Sequence, residues 1–125
     1  MAMPSTGWSL AVERGPDWLF VRPSELEPAN SEGIELAEAI WQEMQRHFTN
    51  RVVVDCTSVP VMHSWLIGQL VLLHKRVVTH GGMVRLCGLS ANNAAVLHAA
   101  RLDDRFPAYG TREAAVMGHR PEQPR

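Results

Sequence analysis

The sequence of 125 residues carries almost no net charge: twelve lysines and arginines stand against thirteen aspartates and glutamates, leaving −1. A chain without a basic excess lacks the electrostatic footprint of a nucleic-acid or anionic-membrane binder. No apolar run approaches the roughly 20 residues of a membrane-spanning helix, and Met1 to Gly7 lacks the apolar core of a signal peptide. The expected compartment is therefore the cytoplasm. Cysteine is scarce: Cys56 and Cys87 each close an expected strand, and in a reducing compartment they read as small buried side chains. Were the two strands neighbours, their sulfurs could lie close, which leaves a redox pair as the less favoured reading. The six histidines and two cysteines show no metal-ligand spacing. There is no glycine-rich phosphate loop, no G-x-S-x-G nucleophile elbow, no internal repeat and no low-complexity tract. Nothing calls for a cofactor.

What the sequence does have is one well-formed unit from Arg51 to Cys87. Val52-Val53-Val54 is apolar on consecutive residues, the mark of a strand buried on both faces, as in a parallel sheet. A compact segment, Asp55 to His63, leads to a helix expected over Ser64–His80 that stops at Gly81-Gly82. Leu66, Ile67, Leu70, Leu73 and Val77 form its broad apolar face, widened by Val71, Leu72 and Val78. Met83–Cys87 is the next strand, and the whole is a β-α-β crossover.

Upstream, Gly7–Arg14 alternates apolar and polar residues, as a half-exposed strand does. Gly15-Pro16-Asp17 is a turn, and Trp18–Arg22 is a second strand, antiparallel to the first, that Pro23 should end. Ser24–Asn30 reads as a polar loop. Ser31–Phe48 reads as a helix whose core stripe is Ile34, Ala37, Ile40, Trp41, Met44 and Phe48. Downstream, Ser90 caps a helix to about Leu102, with Ala94, Leu97 and the stem of Arg101 inward. Arg105–Tyr109 is a short edge strand, Thr111 caps a last helix to about Met117, and Gly118–Arg125 is expected to be a disordered tail. The expected fold class is α/β: a mixed sheet, parallel in its centre, in the order β-β-α-β-α-β-α-β-α with packed helices, as one domain with its core at about 8–117.

This order resembles the STAS domain, the fold of bacterial anti-sigma-factor antagonists. The resemblance rests on the strand ending in Asp55, a short segment ending in a serine, the helix carrying Gly68, then His80-Gly81-Gly82 and Cys87-Gly88-Leu89-Ser90. Arg101-Leu102-Asp103, Phe106-Pro107 and Thr111-Arg112-Glu113-Ala114-Ala115 resemble the family's closing pattern. It implies that Ser64 is a phosphoacceptor for a partner that is both serine kinase, of the histidine-kinase-type ATPase class, and anti-sigma factor. It also implies a partner surface at Pro60, Val61, Met62, His63, Ser64, Trp65, Leu66 and Gly68, with the Glu25-Leu26-Glu27 turn nearby. The flanks differ from the family pattern: His63 stands where an acidic residue is usual, and Trp65 and Leu66 where a small residue and glycine are frequent.

Beside the phosphoacceptor role that the resemblance implies, the residues alone support a plainer reading of Ser64 as merely the helix N-cap. A partner-binding scaffold without phosphorylation is a variant of the first. A hydrolase using Ser64 and His63 is the alternative from another class, weakened because adjacent side chains diverge and no triad is assignable. The sequence leaves open whether the chain pairs with a second copy.

Overall fold

A computed structural model describes residues 8–25 and 36–118. The strands are β1 (Trp8–Arg14), β2 (Leu19–Glu25), β3 (Arg51–Asp55), β4 (Met83–Cys87) and β5 (Ala108–Tyr109). The helices are α1 (Leu36–Arg46), α2 (Ser64–Thr79), α3 (Ala91–Ala99) and α4 (Arg112–Met117). One sheet of five strands runs β1-β2-β3-β4-β5. Only the β1–β2 hairpin is antiparallel; β2–β3, β3–β4 and β4–β5 are parallel. The expected element order and mixed sheet are thus those observed.

Both faces of β3 are covered, which is why its run is apolar without alternation. Val52 and Val54 join the larger core with Ile40, Met44, Leu66, Leu70, Leu73 and Val77 from α1 and α2. Val53, between them, faces the other way, towards Trp18, Cys87, Tyr109 and Ala115 beneath α4. Ile67 and Val71 are only half-buried and Leu72 and Val78 are exposed, so α2 buries a narrower stripe than its composition suggests. Trp41 and Met44 pack in the core as expected.

Cys87 closes β4, but Cys56 lies just past the end of the neighbouring β3, its N–H donating to the Cys87 carbonyl at 2.8 Å. Their side chains, however, belong to cores on opposite faces of the sheet, and both are free. Bridging sulfurs that diverge in this way needs backbone movement. Burial, with the neighbouring Cys87 and Asp55 adding to it, pushes the Cys56 thiol up to about 12. Burial does the same to Cys87, up to about 11. Neither is a reactive thiolate.

Several expected boundaries move. Pro23 does not end β2, which continues to Glu25. Past Val21 the strand pairs on one side only, with β1, and an edge tolerates a residue without an N–H. Ser24 and Glu25 of the expected Ser24–Asn30 loop are therefore strand, and the rest of that loop, Ser31–Glu35 of the expected first helix and the expected tail beyond Gly118 lie outside the described residues. Of the strand expected at Arg105–Tyr109 only Ala108–Tyr109 pairs; Phe106 instead packs in the core, edge-on to His74. Arg101 is exposed rather than inward. Phe48 is not in the core: it is 92% exposed.

Phe48 and Arg101 share a cause. α1, α2 and α3 all end in the same reversal, in which paired N–H groups reach back to the last turn. The residue at its centre needs a positive φ. In α2 that residue is Gly81 (φ 80), but in α1 it is Phe48 (φ 55) and in α3 Arg101 (φ 61). A side chain there costs about 1 kcal/mol relative to glycine. Arg101→Gly is therefore expected to raise the stability of the protein by about 0.5–1 kcal/mol in urea unfolding; a loss would show that the Arg101 side chain contributes more than its backbone costs.

Candidate functional site

The candidate site lies beyond the carboxyl end of β3, where ligands and partners of open α/β sheets gather. The chain leaves the sheet at Asp55, crosses in residues 56–63, and enters α2 at Ser64. Each end of that crossing is fastened by a polar side chain.

At the start, Asp55 is buried, only 4% exposed. One carboxylate oxygen accepts from the Thr57 N–H at 3.0 Å and the Thr57 hydroxyl at 2.8 Å. The other accepts from Arg22 at 3.2 Å and from Arg112 Nε at 3.3 Å. Arg112 also donates to Glu13 at 2.7 Å, so β1, β2, β3 and α4 meet in one charged cluster. Burial pushes the Asp55 carboxyl up; the hydrogen bonds from Thr57, Arg22 and Arg112 outweigh it, and the net shift is downward. Gly88 (φ 73), at the end of β4, lets this knot close: a Cβ there would stand 2.5 Å from Thr57 Cγ2 and 3.0 Å from Asp55 Oδ1.

At the far side, Asn93 reaches in from α3. Its Oδ1 accepts from the Met62 N–H at 2.9 Å, and its Nδ2 donates to the Val59 carbonyl at 3.0 Å. Its own N–H donates to Ser90 Oγ at 3.1 Å, so the expected Ser90 cap forms and sets where Asn93 points. Between the fastenings, Val59 and Met62 enter the core while Pro60 and Val61 face outward, Val61 59% exposed.

Ser64 is exposed. It is not the N-cap: that position belongs to His63, whose backbone is extended (φ −88, ψ 171) and which makes no side-chain cap hydrogen bond. Ser64 is the first helical residue, with its hydroxyl outside the capping role. His63 and Trp65 are half-buried, their rings 6.3 Å apart. Met62 and Leu66, expected on the outer surface, are core residues at 2% and 1% exposure; the loop turns Met62 inward and Leu66 heads the buried stripe of α2. Gly68 is exposed, and a Cβ on it would meet nothing within 4 Å. Val21 of β2 lies opposite Val54, so the strand's last residues, up to Glu25, run past Asp55 towards this same end. Glu27 lies outside the described residues.

Asn93, Arg22 and the second carboxylate contact of Arg112 were not anticipated. The available signal was Asn93 itself, a polar residue four before Leu97 and so on the buried stripe of an otherwise apolar helix. Among the described residues no group of three or more histidine, cysteine, aspartate or glutamate side chains is arranged to hold a metal, and no helix is long and apolar enough to cross a membrane.

Two outcomes follow from these fastenings. Asn93→Ala leaves a buried N–H and a buried carbonyl unpaired, and is expected to lower stability by about 2–4 kcal/mol in chemical unfolding; a loss under about 1 kcal/mol would show that the two hydrogen bonds do not hold the crossing. Because the folded-state pKa of Asp55 lies below its unfolded value, its contribution is present above the unfolded value and disappears as pH falls through the depressed one. Asp55→Asn should therefore weaken the protein at neutral pH and flatten its acid-side loss of stability. An unchanged acid limb would contradict this.

The fold recurs in solved structures. A putative anti-sigma factor antagonist from Thermotoga maritima superposes with a TM-score of 0.76 at 19% identity, covering 87% of this chain and 92% of that one. An anti-sigma factor antagonist from Mycobacterium paratuberculosis gives 0.73 at 18% identity, over 94% and 97%. An anti-sigma-factor antagonist (STAS) domain protein from Planctomyces limnophilus gives 0.71 at 23% identity, over 87% and 96%. Comparison with curated protein sequences found no match. The sequence itself matches the STAS domain over residues 13–115, a stretch that takes in the Asp55 cluster, the crossing to Ser64 and the Asn93 clamp. The chain is a member of the STAS domain family.

Proposed function

We propose that this chain is a non-enzymatic, cytoplasmic regulatory domain that acts as an anti-sigma-factor antagonist, and that phosphorylation of Ser64 switches it. The observation that carries the reading is the exposed Ser64 hydroxyl at the first residue of α2, outside the capping position, on a crossing fastened at both ends. The partner is a serine kinase of the histidine-kinase-type ATPase class that is also an anti-sigma factor. Unmodified, the domain binds it and frees the sigma factor.

The physics of the switch is local. The first turn of a helix offers N–H groups without helical partners and a partial positive charge, so a phosphate is accommodated without refolding. The same phosphate adds up to about two negative charges and must be desolvated when a partner docks on that surface. Pro60, Val61, His63, Ser64, Trp65 and Gly68 supply the docking face, to which the family resemblance adds Glu25 and Glu27. In place of the acidic residue and small residue of the family pattern, the chain offers two rings beside the serine, His63 and Trp65, so the kinase that fits it presents an apolar surface there.

The test uses the full chain, the cognate ATPase and ATP, read by intact mass. One phosphate is expected on the wild type and none on Ser64→Ala. A phosphate that survives Ser64→Ala would reassign the acceptor, and no mass gain alongside tight binding would leave a partner-binding scaffold that is not phosphorylated. Ser64→Asp is expected to fold normally and bind the ATPase at least about tenfold more weakly, roughly 1.4 kcal/mol. Equal affinity would show that charge at this position is not the switch.

A further inference from the structure

The two edges of the sheet are unequal. β5 is only two residues long and follows Pro107, so that edge offers little for another strand to pair with. β1 stands at the other end of the strand order and is seven residues long, paired along its whole length with β2. Among the described residues nothing pairs with its outer side. It contains no proline, glycine or lysine, and its charges, Glu13 and Arg14, sit together at one end. A long edge without such guards is a template for a further strand. Its outward groups can be named. The Gly15 N–H donates to the Trp18 carbonyl at 2.8 Å, closing the hairpin with a hydrogen-bonded pair. Bonded and non-bonded pairs alternate along an antiparallel ladder. Glu13, Ala11 and Ser9 therefore turn their backbone groups to β2, and Arg14, Val12, Leu10 and Trp8 turn theirs outward. Pro23 agrees with this phase: it stands opposite Leu10, where β2 sends no N–H towards β1.

This edge is complementary to itself. Laid antiparallel on a second β1 with Ala11 opposite Ala11, every outward residue finds a partner, Leu10 with Val12 and Trp8 with Arg14. Leu10 and Val12 are half-buried at the rim of the larger core, and in this register each is covered by the other across the junction. Glu13 falls opposite Ser9, so no like charges meet; centred on Glu13, the pairing would set that carboxylate against its own copy. A register shifted by one residue would bring outward groups against groups already bonded to β2. Ala11, at the axis, is small and exposed. Because the opposite edge is only two residues long, the joined sheet ends there on both sides, and the assembly closes at two copies rather than running on as a filament.

We infer that the chain forms a symmetric dimer in which the β1 strands of two copies pair antiparallel about Ala11, joining the two sheets into one. The contact is a single pair of strands with the side chains beside them, so the dimer is concentration-dependent. It rests on the sheet edge alone and stands whether or not Ser64 is phosphorylated.

Sedimentation velocity on the full chain, over roughly a hundredfold range of concentration, is expected to show the wild type passing from monomer to dimer. Ala11→Lys alters an exposed position, so it is expected to remain folded by circular dichroism. It sets two like charges directly opposite each other at the axis and should weaken association at least about tenfold. The register is read at Ser9, which meets Glu13 twice per dimer: Ser9→Lys should associate at least about fivefold more tightly than Ser9→Glu. Amide exchange names the edge. The outward N–H groups of Leu10 and Val12 should slow as concentration rises, while those of Ala11 and Glu13, bonded to β2, stay protected throughout. A wild type that remains monomeric across the range overturns the inference. So does an Ala11→Lys variant that dimerises as well as wild type, a pair of Ser9 variants with equal association, or Leu10 and Val12 amides that exchange as fast in the dimer as in the monomer.

Discussion

A single carboxamide holds the crossing between β3 and α2. Asn93 is almost wholly buried, and both ends of its side chain are used, one accepting from Met62 and one donating to Val59. Residues 56–63 have no sheet or helix ladder of their own to absorb their backbone groups, and buried backbone groups must be paired. Without Asn93 the segment could not keep Val59 and Met62 in the core, and without those anchors Pro60, Val61 and Ser64 would have no defined position. The hydrogen bonds of the clamp are each worth only about 1 kcal/mol net when made. Their importance lies in the larger penalty of leaving the buried partners unmade.

The charged cluster at the other end of the crossing obeys a different balance. Burying a carboxylate is costly, and an exposed pair such as Arg76–Glu38 on the outer surface contributes little. Asp55 is buried yet held in its ionised form because four donors converge on two oxygens, two of them neutral groups of Thr57 at close range. The arginines remain partly in water, Arg22 at 44% and Arg112 at 28% side-chain exposure, so only one of the three charges is fully desolvated. The arrangement fixes where β2 and α4 sit relative to the crossing more than it adds to stability.

The β-α-β unit was legible because its signals are periodic and local: three consecutive valines, a stripe at helical spacing, a double glycine. The hairpin and the terminal caps at Ser90 and Thr111 were legible from turn and cap chemistry. What was not legible depended on partners distant in sequence. Pro23 reads as a terminator until one sees that pairing of β2 with β3 stops at Val21. Phe48 fits the apolar stripe of α1 by spacing, but the helix ends two residues earlier and swings it into solvent. Met62 looks like a surface residue beside an exposed serine, and only the Asn93 clamp turns it inward; Leu66 was read both on the apolar face of α2 and on the partner surface, and the buried stripe claims it. Ser64 itself is one residue inside the position that its cap-like chemistry suggested.

The opposed cysteines have a practical consequence. Cys56 lies in the larger core, on the face of the sheet that α1 and α2 cover, and Cys87 in the smaller core beneath α4, each shielded in its own layer and each too high in pKa to react while covered. A thiol reagent can therefore label either only when the layer above it lifts. The rates at which the two are modified would report separately on the opening of the two sides of the sheet, a pair of native probes that needs no engineered label.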